Sequence, residues 1–214
     1  TASGLLDIGE QLLAERSDLD SGVRATLIEE LSRSRASLGA FEAARRQALE
    51  ARALFESLGD RRAVLRVDIH LASLEERLDR VDEARARIDR VLATAAEAGL
   101  APADLYPAWY QHGILVGNAG DVDAADRAIS RAIELASLGA APSTTAVGME
   151  VVRAGFLSAA GRADEALARL AAMRTRLQST GAYDDAARQQ LLHGEGMALE
   201  QSGRWREAQA AIEA

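Results

Sequence analysis

Lysine and cysteine are absent from this 214-residue chain, so all 25 basic residues are arginine. Without lysine the G-x-x-x-x-G-K-[ST] phosphate loop cannot form, and neither can a Schiff-base lysine or a kinase-type nucleotide lysine. Without cysteine there is no disulfide and no thiol nucleophile. Proline occurs three times, asparagine once as Asn118, and aromatic residues make up only 4%. No apolar stretch approaches the roughly 18 residues that signal a membrane span. The opening TASGLLDIGEQLL lacks the basic start of a secretory signal. A cytoplasmic protein without a membrane partner is expected. The net charge is −8, with acids and arginines interleaved along the chain. That pattern describes solvated helix faces with i,i+4 pairs and not a basic patch, so direct nucleic-acid binding by this segment is not expected.

What is abundant is alanine, at 46 positions in a chain that is 48% apolar. Alanine is the best intrinsic helix former, and so few prolines leave long helices uninterrupted. An all-α protein follows, one that buries its surface through many small contacts.

A ten-residue block recurs five times: GAFEAARRQA at Gly39, DRVDEARARI at Asp79, GDVDAADRAI at Gly120, GRADEALARL at Gly161 and GRWREAQAAI at Gly203. The starts lie 40, 41, 41 and 42 residues apart, a period that marks stacked helical repeats. The sixth residue is always alanine (Ala44, Ala84, Ala125, Ala166, Ala208), and the tenth is small or aliphatic (Ala48, Ile88, Ile129, Leu170, Ile212). Four residues separate the two, which puts both on one helical face. Seven residues before each block stands another small residue: Ser32, Ala72, Gly113, Ala154 and Gly196. Two helices with small residues at their crossing can approach closely, and the Gly or Asp that opens each block makes the turn between them.

The register predicts first helices over 21–37, 61–78, 103–118, 144–160 and 182–202. Second helices are expected over 40–58, 81–98, 122–137, 162–178 and from 204 onward. Residues 3–16 fall where the second helix of an earlier unit would lie, and AQAAIEA stops inside a second helix. The chain is therefore expected to be a single array, 1–214, cut from a longer protein. Its repeats would span about 21–58, 61–98, 103–137, 144–178 and 182–214.

This block pattern resembles the tetratricopeptide repeat, in which a small residue on the first helix faces an alanine on the second across a glycine-rich turn. Four blocks open on glycine, and Asp79 stands in its place in the second. Family repeats commonly span 34 residues; these are six to eight longer. The resemblance implies a right-handed α-solenoid of antiparallel hairpins. The long repeats, with linking phrases such as ALFESLGDRR, are similar to the sensor arrays of bacterial transcriptional regulators of the maltose-activator and antibiotic-regulatory types.

Nothing in the sequence builds a catalytic centre. There is no G-x-S-x-G elbow and no H-E-x-x-H motif, and the lone Gly194-Glu195-Gly196 sits inside a predicted helix with no strand before it. His70 and His193 lie three repeats apart and cannot share an ion, while His112 reads as a packing residue. Asp82-Glu83 and Asp164-Glu165 recur at the start of second helices, where negative charge complements the helix dipole. No catalytic, cofactor or metal residue is expected.

The resemblance also implies a concave face lined by first helices. By register that face includes Glu29 and Arg33; Arg66, Ile69, His70 and Ser73; Tyr110, Gln111, Ile114 and Asn118; Val151, Val152 and Gly155; and Gln190, His193 and Met197. The residues expected to touch a partner are Arg66, His70, Tyr110, Gln111, Ile114, Asn118, Val151, Gln190, His193 and Met197. Their mixture suits a peptide, a helix or a small-molecule effector. The lysines with which some family members clamp a carboxylate are missing. The function expected is a protein-interaction or ligand-sensing module of a cytoplasmic bacterial regulator. The alternatives are a recruiting array attached to a peptidase or kinase, and a structural scaffold.

Overall fold

The computed structural model describes residues 2–16, 18–139 and 141–213. Among them are eleven α-helices, one 3-10 turn and no strand. In chain order the helices are α1 (Ala2–Glu15), α2 (Ser21–Ser37), α3 (Phe41–Ser57), α4 (Arg61–Arg77) and α5 (Val81–Thr94). The turn Pro102–Leu105 precedes α6 (Tyr106–Asn118), α7 (Val122–Leu138), α8 (Ser143–Ala159), α9 (Ala163–Thr180), α10 (Asp185–Gln201) and α11 (Trp205–Glu213). The chain divides after Ala101 into two compact units, the first holding α1–α5 and the second α6–α11.

Each hairpin closes where the sequence places small residues. Ala44, Ala84, Ala125 and Ala166 are wholly buried and Ala208 is nearly so. The Ser32 hydroxyl of α2 donates to the Ala44 carbonyl of α3 at 2.8 Å. At Gly113 an added Cβ would lie 2.6 Å from Cγ1 of Ile129, so α6 and α7 approach as closely as a bare backbone allows. The turns between the two helices of a hairpin share one geometry. Their opening residue is left-handed in every block, including the non-glycine Asp79 at φ 61°. In the first such turn Ala40 N–H reaches Arg35 C=O at 3.0 Å, and in the second Arg80 N–H reaches Glu75 C=O at 2.8 Å. This is the bond that closes a Schellman C-cap.

Helix starts explain where the expected bounds shift. Asp184 caps α10 by accepting from Ala187 N–H at 2.8 Å, which starts that helix three residues later than the register suggests. The helix expected from 103 begins instead at Tyr106. Pro107 sits in its first turn, and the residues before it wind as a 3-10 turn. Proline fits the first turn of a helix and opposes α geometry just before it. The helix expected to end at 98 stops at Thr94, and the chain turns through Gly99 at φ 71°.

Charge ties the hairpins within each unit. An arginine at the start of one second helix reaches an acid in the first turn of the preceding one: Arg80 to Glu42 at 2.9 Å, Arg162 to Asp123 at 2.6 Å and Arg204 to Asp164 at 2.8 Å. The acids are exposed, so each tie contributes little energy and mainly sets register. The equivalent position in the repeat that opens the second unit is Asp121, which caps its own helix by accepting from Ala124 N–H.

Enlarging the crossing alanine should overpack a hairpin: Ala166→Leu is expected to cost about 1–3 kcal/mol in denaturant unfolding. An unchanged midpoint would contradict the close crossing. Conversely, Asp79→Gly should relieve the left-handed residue and raise stability by about 0.5–1 kcal/mol, read as a higher melting temperature.

Candidate interaction faces on the first helices

In the first unit the predicted face is a closed polar clasp. Glu29 of α2 is buried, and three hydrogen bonds from two arginines hold its carboxylate. Arg66 of α4 approaches it side-on, with Nε 2.9 Å from Oε1 and Nη2 2.7 Å from Oε2. Arg33 adds a bond at 2.9 Å. Burial alone would raise the Glu29 pKa, but the two arginines outweigh it and hold the carboxyl below its ordinary value. Arg66 also stacks over Phe55, 5.5 Å from the ring centroid. Both arginines are thus engaged by the protein itself.

His70 lies beside this clasp. Its Nε2 is 2.9 Å from the Ser32 hydroxyl, whose single proton goes to the Ala44 carbonyl. His70 is then the donor in that bond, from Nε2–H. Burial first, then the nearby Arg33 charge, push its pKa down to about 4, with Glu29 acting in the opposite sense.

Deeper in the same unit, a buried ionic cluster escaped the sequence reading. Arg87 of α5 grips Glu75 with two bonds, at 2.9 and 2.7 Å, and reaches Asp68 at 2.6 Å. Arg52 of α3 meets the same Asp68 oxygen at 2.8 Å. In the second unit Glu150 holds the repeat position of Asp68; it too is buried and paired, with Arg153. An acid at this place on an otherwise apolar first-helix face is the signal that could have revealed these pairs.

The second unit presents a different face. Tyr110, Ile114, Val151 and Met197 are half-buried, while Gln190, His193 and Asn118 are exposed. Tyr110 and Val151 pack against the unit's apolar core. His193 and Met197 line one open hollow of about 430 Å³ along α10, with Leu192 and Gly196 in its floor. Gly148 and Gly155 sit on α8 with nothing within 4 Å of where a Cβ would be. None of these strip residues is an acid or an arginine, although Glu200 also lines the hollow along α10.

Two expectations need correction. Gln111 is only 6% exposed, so its amide belongs to the packing of α6 and does not offer a surface contact. Glu29, read as a groove residue, is covered by Arg33 and Arg66. Both changes have one cause: helices packed on two sides bury a register position that a single-helix projection leaves open. His112 is half-buried with its ring edge-to-face on Trp109, the centroids 6.0 Å apart.

With this geometry in view, the chain can be set beside known proteins. No protein-family model matches it, and no curated protein matches it by sequence. Solved structures do match. BtubC from P. vanneervenii superposes with a TM-score of 0.72 at 20% identity, over 99% of this chain and 85% of that one. A putative kinesin light chain of Podosopora anserina with nearly identical tetratricopeptide-like repeats gives 0.71 at 17%, over 91% and 94%. A tetratricopeptide repeat protein from Parabacteroides merdae gives 0.61 at 15%, over 99% and 77%. At such identities the likeness speaks for the fold alone: this is an α-solenoid of tetratricopeptide-like helical hairpins. Among the described residues no helix is long and apolar enough to cross a membrane.

The His70 geometry yields a pH test. The folded pKa lies near 4, below the roughly 6.5 of an unfolded histidine. The unfolded chain then binds a proton that the fold excludes, so stability is complete above about 6.5 and declines as pH falls toward 4. The melting temperature of the native chain should fall more between pH 7 and pH 4.5 than that of His70→Gln. Parallel curves would overturn this.

Proposed function

We propose that the chain is a protein-interaction module that holds a peptide or helix on the first-helix face of its second unit, and that it catalyses no reaction of its own. The observation that carries this reading is the uncharged strip of Tyr110, Ile114, Val151, His193 and Met197, in a chain with 27% charged residues. Gly148 and Gly155 support it. A mid-helix glycine costs about 0.5–1 kcal/mol relative to alanine, and no packing contact uses either one. A bare backbone strip beside apolar side chains lets another chain come close. The expected contacts Tyr110, Ile114, Val151, Gln190, His193, Met197 and Asn118 stay in this proposal. Arg66 and His70 enter it only as parts of the first unit's clasp.

The finer reading is a ligand- or partner-sensing array of a cytoplasmic bacterial transcriptional regulator. It is supported by the long repeats and their linking phrases. Because lysine is absent, these residues form no G-x-x-x-x-G-K-[ST] phosphate loop.

A binder selected from a displayed peptide library against the folded chain tests the site. Tyr110→Ala with Val151→Glu should weaken that binder by about 1–3 kcal/mol, as expected when an anchor is lost, while far-ultraviolet circular dichroism stays unchanged. If the binder is indifferent to that pair and is lost instead on Arg131→Glu with Glu134→Arg, the second-helix face is the site. Nucleotide hydrolysis that scales with protein concentration would refute the non-catalytic reading.

A further inference from the structure

The repeat builds the same crevice once in each unit, where two consecutive hairpins meet at the ends of their second helices. In the first unit it is a hollow of about 390 Å³ among the end of α3, the start of α4 and the turn after α5. Val64, Leu65 and Ala98 form its apolar lining, and Glu56, Arg61 and Glu97 its charged one. Its size falls within the roughly 300–1,000 Å³ of small-molecule sites. The equivalent hollow among α7, α8 and α9 is about 190 Å³. There Ser137 holds the register place of Glu56, and Ser143 that of Arg61. Arg176 of that hollow is spent on the Ser137 hydroxyl at 3.0 Å, and among its described lining residues there is no acid.

The crevice therefore comes with the repeat, but the charges in it do not. Arg61 and Glu97 carry opposite charges on one hollow and do not pair across it. Among the described residues neither has another ion-pair partner. Other arginines of the first unit reach acids, as Arg66 reaches Glu29 and Arg87 reaches Glu75. Glu56 adds a second carboxylate, which already meets Arg52 at 2.9 Å. The helix dipoles point the same way. Glu56 stands in the last turn of α3, at a negative helix end, and Arg61 opens α4 at a positive one.

We propose that this hollow binds a small zwitterion with an apolar side chain, the chemistry of a free apolar α-amino acid. Its carboxylate meets Arg61, its ammonium meets Glu97 with Glu56 beside it, and its side chain lies against Val64, Leu65 and Ala98. Both polar contacts are charge-assisted. A simple anion would be repelled by the two carboxylates, and a simple cation by Arg61. A zwitterion satisfies the separated pair and adds no net charge to a chain that already carries −8.

The probe is leucine, titrated calorimetrically into the whole chain, where saturable one-to-one binding is expected. Leucinamide lacks the carboxylate and isocaproate lacks the ammonium, so each should bind at least about tenfold more weakly. Arg61→Ala should weaken leucine by a similar factor and leave leucinamide unchanged. Glu97→Gln should weaken leucine and leave isocaproate unchanged. Both side chains are exposed, so both variants should melt like the native chain. Ser143→Ala, in the hollow of the second unit, should leave leucine binding as it is. No saturable leucine binding, equal binding of leucinamide or isocaproate, or an affinity indifferent to Arg61→Ala and Glu97→Gln overturns the proposal. So does a loss of binding on Ser143→Ala, because the other hollow would then be the site.

Discussion

Every hairpin of this protein depends on one close crossing, where a small residue on the first helix meets an alanine on the second. The Ser32 to Ala44 hydrogen bond and the bare Gly113 against Ile129 show how little room is left there. Contacts at that distance gain dispersion energy atom by atom, which is how a chain with few aromatic rings still builds a dense interior. The same crossing repeated down the chain makes the structure modular. Each hairpin is stabilised by itself and by its neighbours, not by a distant core.

Arginine supplies all the fixed positive charge, and the structure uses much of it internally. In the first unit Arg33, Arg66, Arg52 and Arg87 satisfy three buried acids, Glu29, Asp68 and Glu75. Guanidinium groups suit this task because their planar fork matches a carboxylate and cannot lose its charge. Removing one partner would leave a buried charge uncompensated, so these pairs act more as constraints on geometry than as sources of net stability. The consequence for binding is indirect. Where the first helices carry such pairs, their face is already occupied by the protein's own side chains. On α6 and α8 the half-buried Tyr110 and Val151 and the two glycines Gly148 and Gly155 form a neutral strip, and the Glu150–Arg153 pair of α8 is buried beside it.

The architecture was legible because it rests on periodic residues. Ala44, Ala84, Ala125 and Ala166 announced the crossings, and Gly39, Gly120, Gly161 and Gly203 the left-handed turns, with Asp79 adopting the same φ. Helix starts were less so: the entry to α6 waits on Pro107, and α10 waits on the Asp184 cap. The candidate face was legible only in part. Register placed Tyr110, Val151, His193 and Met197 on first helices, yet it could not tell that Gln111 is closed off, that Glu29 is roofed by arginines, or that Arg66 is already engaged. Those facts depend on residues 37 positions away or more distant neighbours, as in the Arg66 to Glu29 bond.

Local chemistry therefore determined the helices, the turns and the pairing of helices into hairpins, because each depends on side chains within one period of the sequence. It also removed lysine and thiol chemistry from consideration outright. Only the tertiary structure decided which charged residues are free and which are consumed. It alone showed that Gln111 is closed off while Ile114, three residues further along α6, stays half-buried. The physical reason is that exposure belongs to the helices packed around a residue, and a repeat sequence writes nearly the same residue whether or not a neighbour is there to cover it.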